Sequence, residues 1–296
     1  MDSPLFGIFP TPSAADYPAV VEQVLAAEQL GIDVVGIQDH PYQRRFLDTF
    51  ALIGDLLART SRLRIFPDVA NLPLRGPVMI AKAAASLDVM SGGRFELGLG
   101  AGTFWDAVVG MGGPRRTAGE SIDALAEALP MIRDILDGER VVRSPGPYYP
   151  IPGFPTGPPP AHRVEIWLGA YRRRGLELTG RLADGWLPSL GYMPPEAFRA
   201  ASARIDEVAL AAGRDPRAIR RLYNIAGRLT AGVVGDGPLD GPAELWIERL
   251  TRWAVDFGAD GFILWPEDSS VAAIEPFATR IAPAVRAAVA GARAGR

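Results

Sequence analysis

His40 closes the stretch GIQDH and is one of only two histidines in the chain, so a proton step near neutral pH falls to it first. An imidazole, with a reference pKa of about 6.5, can give or take a proton there. Asp39 precedes it, but neighbours on an extended chain point to opposite sides, so adjacency makes no relay of the pair. A carboxylate in that place also serves by accepting backbone N–H bonds in the turn. Two other stretches carry chemistry of a different kind. ELGLGAG ends in Gly98, Gly100, Ala101 and Gly102, where the missing side chains leave either a flat bed for a ring system or closely packed strands. GAYRRRG sets Gly169, Ala170, Tyr171 and Arg172 at the start of a helix. Its free N–H groups and an arginine make either an anion site that favours phosphate or a solvated basic helix start.

Other chemistries have little to stand on. The chain has no cysteine, and His162 lies in a proline-rich stretch apart from any His-x-His or His-Glu-x-x-His pattern. No Gly-x-Ser-x-Gly stretch offers a serine nucleophile. Asp39, Asp68, Asp106 and Glu267 could furnish the paired carboxylates of a glycosidase-type hydrolase, which stands as an alternative.

Eight short β-rich runs must position these residues: 5 to 9, 33 to 38, 62 to 70, 94 to 100, 164 to 169, 184 to 189, 219 to 227 and 260 to 265. Helical patterns alternate with them near 16 to 30, 49 to 60, 77 to 90, 117 to 137, 172 to 182, 194 to 212 and 270 to 289. Another carries Trp246, Leu250, Trp253 and Phe257 on one face, followed by Gly258 as a C-cap. This order predicts an α/β fold, a single (β/α)8 TIM barrel over residues 1–296. One proline-rich insertion follows the fourth helix. It spans 138–163, holds eight prolines and reads as a lid or rim.

The site of a barrel lies where its strands end. Alternation turns Gly36, Gln38 and His40 toward the axis and Val35 and Ile37 toward the helices. It also sends Arg94, Glu96, Gly98 and Gly100 inward. Arg64, Arg94, Glu96 and Glu165 then form an ion-pair layer in the barrel floor.

Composition narrows the function. A net charge of −3 without a long basic run argues against nucleic acid and anionic lipid as partners. The N-terminal residues lack a charged-then-apolar leader pattern, and no apolar run approaches ~18 residues, so a soluble cytoplasmic protein is expected.

Together the stretches AAEQLGIDVVGIQDH (26 to 40), NLPLRGPVMIAKAAASLDVMSGGRFELGLGAG (71 to 102), DGERVV with GPYY (137 to 149) and EIWLGA with LADGW (165 to 186) resemble the luciferase-like flavin- or deazaflavin-dependent oxidoreductases. The resemblance runs from about Leu5 to Trp265. It implies a barrel that holds FMN or the deazaflavin coenzyme F420, with Gly100, Ala101 and Gly102 along the ring. Gly169, Ala170, Tyr171 and Arg172 would hold the phosphate. With Gln38, Asp39, Ala70, Asn71 and Thr103 at neighbouring strand ends, these make up the expected cofactor site. The Asp-His pair of deazaflavin-dependent members matches Asp39 and His40, with the histidine facing the reacting part of the cofactor, so His40 is the expected catalytic residue. A non-prolyl cis peptide is implied near Asp68 to Ala70. The sugar-phosphate dehydrogenases of the family carry a glutamate after the strand-four glycines; Thr103, Phe104 and Trp105 stand here instead, which speaks against that activity. The expectation is hydride transfer or monooxygenation on a small organic substrate by a homodimer. A flavin-binding barrel without turnover is the remaining alternative. The triplet Arg172 to Arg174 tips the cofactor toward the longer, acidic deazaflavin.

Overall fold

The computed structural model describes residues 3–294; the two residues at each end of the expected 1–296 span lie outside them. From the N-terminus the chain forms β1 (Leu5–Ile8), α1 (Tyr17–Gln29), β2 (Val34–Ile37), α2 (Thr49–Arg59), β3 (Arg64–Pro67), β4 (Ala70–Asn71), α3 (Leu72–Arg75) and α4 (Pro77–Ser91). It continues with β5 (Leu97–Gly100), α5 (Trp105–Gly110), α6 (Ala118–Leu136), the hairpin strands β6 (Val141–Ser144) and β7 (Ile151–Pro155), β8 (Ile166–Gly169) and α7 (Arg173–Leu182). The last part holds β9 (Gly185–Trp186), α8 (Pro195–Ala211), β10 (Arg220–Ile225), α9 (Ala243–Asp256), β11 (Gly261–Leu264) and α10 (Ala282–Ala294).

Nine strands run parallel in the order β3-β2-β1-β11-β10-β9-β8-β5-β4. The two edge segments, β3 and β4, are halves of the one strand expected over 62 to 70, so the sheet closes on itself. Ile65 N donates to Arg94 O at 2.9 Å and Glu96 N to Ile65 O at 3.3 Å across the seam. The barrel therefore has the expected eight staves, one of them broken at Asp68–Val69, where the peptide bond is cis. Near the C-terminus the single helix expected over 270 to 289 is instead a 3-10 turn (Val271–Ala273), a π turn (Phe277–Ile281) and α10.

Period and burial agree along the helices. Trp246, Leu250 and Trp253 of α9 are buried against the barrel, each worth about 1.5–3 kcal/mol, and Gly258 follows with φ +78°. Thr117 and Glu120 form a reciprocal capping box that starts α6. Inside the barrel a separate plug of Phe9, Val34, Phe66, Trp167, Leu187, Leu222 and Ile263 closes the axis below the mouth. Phe66 and Trp167 meet edge to face at 4.8 Å.

The floor is charged, as alternation requires, with one correction. Glu96 pairs with Arg64 at 3.3 Å, and Glu165 with Arg220 at 2.8 Å. Arg94 leaves the layer: its guanidinium reaches out to the carbonyls of Leu57 (2.8 Å) and Leu63 (3.1 Å), ending α2 and bracing the turn into β3. His162 sits in the same floor, held by Asp88 at 2.7 Å and Glu96 at 3.3 Å; the hydrogen bond to Glu96 raises its pKa, and burial opposes that. It is a structural group, remote from the strand ends that carry His40.

The segment 138–163 joins α6 to β8, a connection that starts from the floor. Its hairpin packs outside the barrel, where Glu127 of α6 accepts from the backbone of Tyr148 (3.1 Å) and Tyr149 (2.6 Å). Arg116 donates to the Tyr149 hydroxyl at 2.9 Å. Anchored this way, the hairpin braces α6 and reaches Arg116 just ahead of the start of that helix.

Candidate active site

At the end of β2 the pleat divides three consecutive residues. Gln38 is buried, and its carbonyl accepts from Thr49 Oγ1 at 2.7 Å. Asp39 turns away from the axis: both its oxygens take Arg75 at 2.7 Å, and Oδ2 also accepts from Asn71 N at 2.8 Å. Its side chain is fully buried, so the carboxylate ties the end of β2 to β4 and α3 and has no oxygen exposed to the mouth. Asn71 turns its Oδ1 to Leu74 N at 3.2 Å, capping α3, and Ala70 is wholly buried beneath it.

His40 is left facing the mouth among aromatic rings. Tyr42 stands 5.5 Å from it and Phe104 5.7 Å, centroid to centroid. The Tyr42 hydroxyl lies 3.3 Å from His40 Nδ1, which leaves Nε2 as the nitrogen free to exchange a proton. Phe104 is half-exposed and holds φ +54°, alone among the described non-glycine residues in the left-handed region, a conformation tolerated where the surroundings dictate it. Burial lowers the His40 pKa from 6.5 against the opposing pull of Asp39, so the ring is neutral at pH 7. Burial also pushes Tyr42 up to about 12, keeping it a neutral phenol.

The inward glycines resolve toward close packing. A Cβ on Gly98 would lie 2.1 Å from the Pro67 carbonyl oxygen, and one on Gly100 would lie 2.7 Å from Val69 Cγ2. Val69 also sits 3.3 Å from the Cβ position of Gly169. The bare strand ends of β5 and β8 thus carry the Val69 side chain as an apolar platform at the mouth. Gly102 (φ +99°) is pressed on Pro73 and Trp105, with Ala101 beside it and Thr103 exposed.

Asp68, Asn224 and Gln38 are each at least nine-tenths buried. Gln38 Nε2, Asp68 Oδ2 and Asn224 Oδ1 have no hydrogen-bond partner among the described residues. Burial raises the Asp68 pKa to about 7, with Asn224 pulling the other way. Tyr171 closes this side through its hydroxyl, 3.2 Å from Ser189 Oγ.

At the start of α7 no side chain caps the first turn, so the amides after Ala170 and Arg172 stay open. Arg173 pairs with Glu177 at 2.9 Å and Arg174 with Asp123, whereas Arg172 has no ion pair among the described residues. One arginine of the triplet, not three, is available to an anion.

Residues 5–227 match the luciferase-like monooxygenase family. The chain belongs to that family. The F420-dependent hydroxymycolic acid dehydrogenase of Mycobacterium tuberculosis is 29% identical, over 90% of this chain and 84% of that one. The first curated relatives match over less: an uncharacterized protein of the same organism is 32% identical over 57% of this chain, and the alignment spans about half (56%) of that protein's length. An F420-dependent secondary alcohol dehydrogenase, solved with an F420-acetone adduct, has the same fold at TM-score 0.84 and 21% identity, covering 96% of this chain and 99% of its own. A long-chain alkane monooxygenase follows at TM-score 0.79 and 14% identity, over 97% and 92%.

In this luciferase-like barrel the expected site residues converge at one end: Gln38, Asp39 and His40, Ala70 and Asn71, Gly100 to Thr103, and Gly169 to Arg172. Two members escaped the sequence reading. Tyr42 had no pattern to mark it. Asp68 appeared as a carboxylate for a hydrolase and beside the implied cis peptide, not as a group facing the mouth, although Arg64, Phe66 and Asp68 alternate onto the inner face of one strand. The hydrolase alternative is not favoured: of its four carboxylates, Asp39 is consumed by Arg75, and Asp106 lies exposed, paired with Arg115 at 2.5 Å. Among the described residues no group of three His, Asp or Glu side chains could hold a metal, and no helix is long and apolar enough to cross a membrane.

Proposed function

We propose that the chain is an oxidoreductase that binds FMN or coenzyme F420 in the barrel mouth and acts on a small organic substrate. The observation that carries this is the set of three unpartnered, buried polar atoms on Gln38, Asp68 and Asn224 beside a neutral His40. Desolvated groups of this kind each cost about 1–3 kcal/mol when left unpaired, so they call for a ligand with a polar edge. The Val69 platform fits a flat ring face, and the open first turn of α7 with Arg172 fits a phosphate. Either cofactor satisfies this: both carry the ring, and a single free arginine removes the preference for the longer deazaflavin tail.

When bound, the ring would supply hydride transfer or oxygen activation. The chain's part is positional and protic. Asp39, locked by Arg75, fixes where β2 ends and so where His40 stands. His40 Nε2 moves a proton to or from a substrate heteroatom, while the Tyr42 hydroxyl holds Nδ1. Phe104, Trp265 and Phe9, the last two meeting edge to face at 5.2 Å, exclude water around an apolar substrate. Gly169, Ala170, Tyr171 and Arg172 would hold the phosphate, and Ala101, Gly102 and Thr103 line the approach.

Titration of the purified protein with FMN and with F420 tests the reading: binding of at least one is expected, and failure of both sinks it. Replacement Arg172→Gln removes one charge-assisted bond of about 1.5–3 kcal/mol and should weaken the cofactor that binds by roughly tenfold or more. Unchanged affinity would move the phosphate elsewhere. The reading carries a homodimer in the cytoplasm with it. Met79 and Met90, exposed on one face of α4, offer apolar surface to a second copy. Gel filtration should show about twice the 31.7 kDa of the chain, and a monomer at micromolar concentration contradicts the dimer.

A further inference from the structure

The stave that carries Arg64 in the floor and Phe66 in the plug brings Asp68 to the mouth, where it meets residues of β2 and β10. Its carboxyl oxygen lies 3.0 Å from the Cβ position of Gly36 on β2, so a side chain there would displace it. Asn224 of β10 faces it from across the axis, with Nδ2 turned to Ser189 Oγ at 3.5 Å and Oδ1 left over. Gln38, the next inward residue after Gly36, contributes its spare Nε2. The unsatisfied inventory is therefore one amide donor, one amide acceptor and one carboxyl oxygen, whose role depends on whether it bears a proton.

We infer that Asp68 is a carboxylic acid that must hold its proton for the mouth to accept a ring, and that Gln38, Asn224 and protonated Asp68 together recognise the ring's imide edge. This rests on the proposed function and deepens it. An imide edge, carbonyl, N–H, carbonyl, presents two acceptors and one donor. Two donors and one acceptor complement it: Gln38 Nε2, Asp68 Oδ2–H and Asn224 Oδ1. Ionised Asp68 would set an anion against a carbonyl oxygen and leave the edge short of a donor. Flavin and deazaflavin share this edge, so the inference holds for either.

The surroundings favour the proton. Burial raises Asp68 to about 7, and no cation counters it: Arg75, on the outer side of β2, is committed to Asp39 and Asp48. Two titratable side chains of the mouth, Tyr171 and His40, are neutral. Tyr171, packed at the start of α7, has its pKa raised by burial, and His40 has its pKa lowered by burial. A ligand that binds only the protonated acid takes up a proton as pH rises past the free group's pKa, so its affinity is level below that point and falls above it.

FMN is the probe, since its phosphate is fully ionised well above pH 6 and the remaining pH dependence reports the ring. Quenching of FMN fluorescence should give a Kd that changes by no more than about twofold up to pH 7, weakens toward tenfold per unit above and is near a hundredfold weaker by pH 9. Asp68→Asn keeps a donor in the same shape without titrating. It should bind close to the wild-type low-pH value with no such slope, whereas Asp68→Ala should bind more weakly at every pH. Independently of any cofactor, infrared difference spectra between wild type and Asp68→Asn should show a protonated carboxyl band at pH 6 that is lost by pH 8.5. A level wild-type profile, an equal slope in Asp68→Asn, or no such band at pH 6 overturns the role of Asp68. FMN and F420 both failing to bind at pH 6 overturns the cofactor reading itself.

Discussion

His40→Ala should lower kcat for the physiological turnover by about 10²–10⁴-fold while changing cofactor affinity by no more than a few fold. The size follows from what the side chain offers. A neutral imidazole whose Nδ1–H donates to the Tyr42 hydroxyl oxygen keeps its Nε2 lone pair, and in that tautomer it is ready to take a proton without first losing one. Its pKa lies below 6.5, so the loss of a proton-accepting role appears on the acid side. Wild-type kcat/KM should rise as pH passes upward through that lowered value and stay level at neutral pH. His40→Ala should abolish that limb, and His40→Gln, which keeps a hydrogen-bonding head, should retain more rate than alanine but no limb. Stopped-flow reduction of the bound cofactor and steady-state profiles read both effects. Unaltered reduction kinetics in His40→Ala would leave the ring as packing for Phe104 and support a barrel that binds flavin without turnover.

The fold was legible because its signals repeat. Each stave pairs a buried β-rich run with an amphipathic helix, and Trp246, Leu250 and Trp253 give the period directly. The break in the stave at Asp68–Val69 was visible only as a resemblance, since Phe66-Pro67-Asp68-Val69 reads as an unbroken strand. In the site, alternation placed His40 correctly because β2 is regular up to Ile37. It could not tell that Asp39 would find Arg75, thirty-six residues on, since such partners are set by tertiary closure. The same limit explains Arg94, which leaves the floor for carbonyls left open at the end of α2. The arginine triplet looked like one charge cluster; helix geometry put Glu177 one turn beyond Arg173 and brought Asp123 of α6 to Arg174, leaving Arg172. Glycine was the most ambiguous letter, because an absent side chain leaves room for a ligand or for Pro67 and Val69 alike, and only packing decides.

Arg75→Met should destabilise the protein more than any change on the mouth surface, by about 3–5 kcal/mol, because it leaves the Asp39 carboxylate buried with a single backbone donor. A loss of that size lowers Tm by roughly 10 °C in a chain of this length. Methionine keeps an apolar stem of similar length, and what is lost is the guanidinium, both its charge and its stacking 4.6 Å from the Phe50 ring centroid. Asp48 loses a partner as well, but it is half-exposed and water replaces the contact at little cost. The double variant Arg75→Met with Asp39→Asn removes the stranded charge and should recover most of the loss, with a coupling of several kcal/mol in the cycle. The cycle also separates the two readings of Asp39. As a brace for β2, Asp39→Asn in the Arg75→Met background restores heat stability and cofactor affinity together. As a direct cofactor ligand, it would restore stability while affinity stayed low, and differential scanning calorimetry beside FMN titration of the same four proteins tells the two apart.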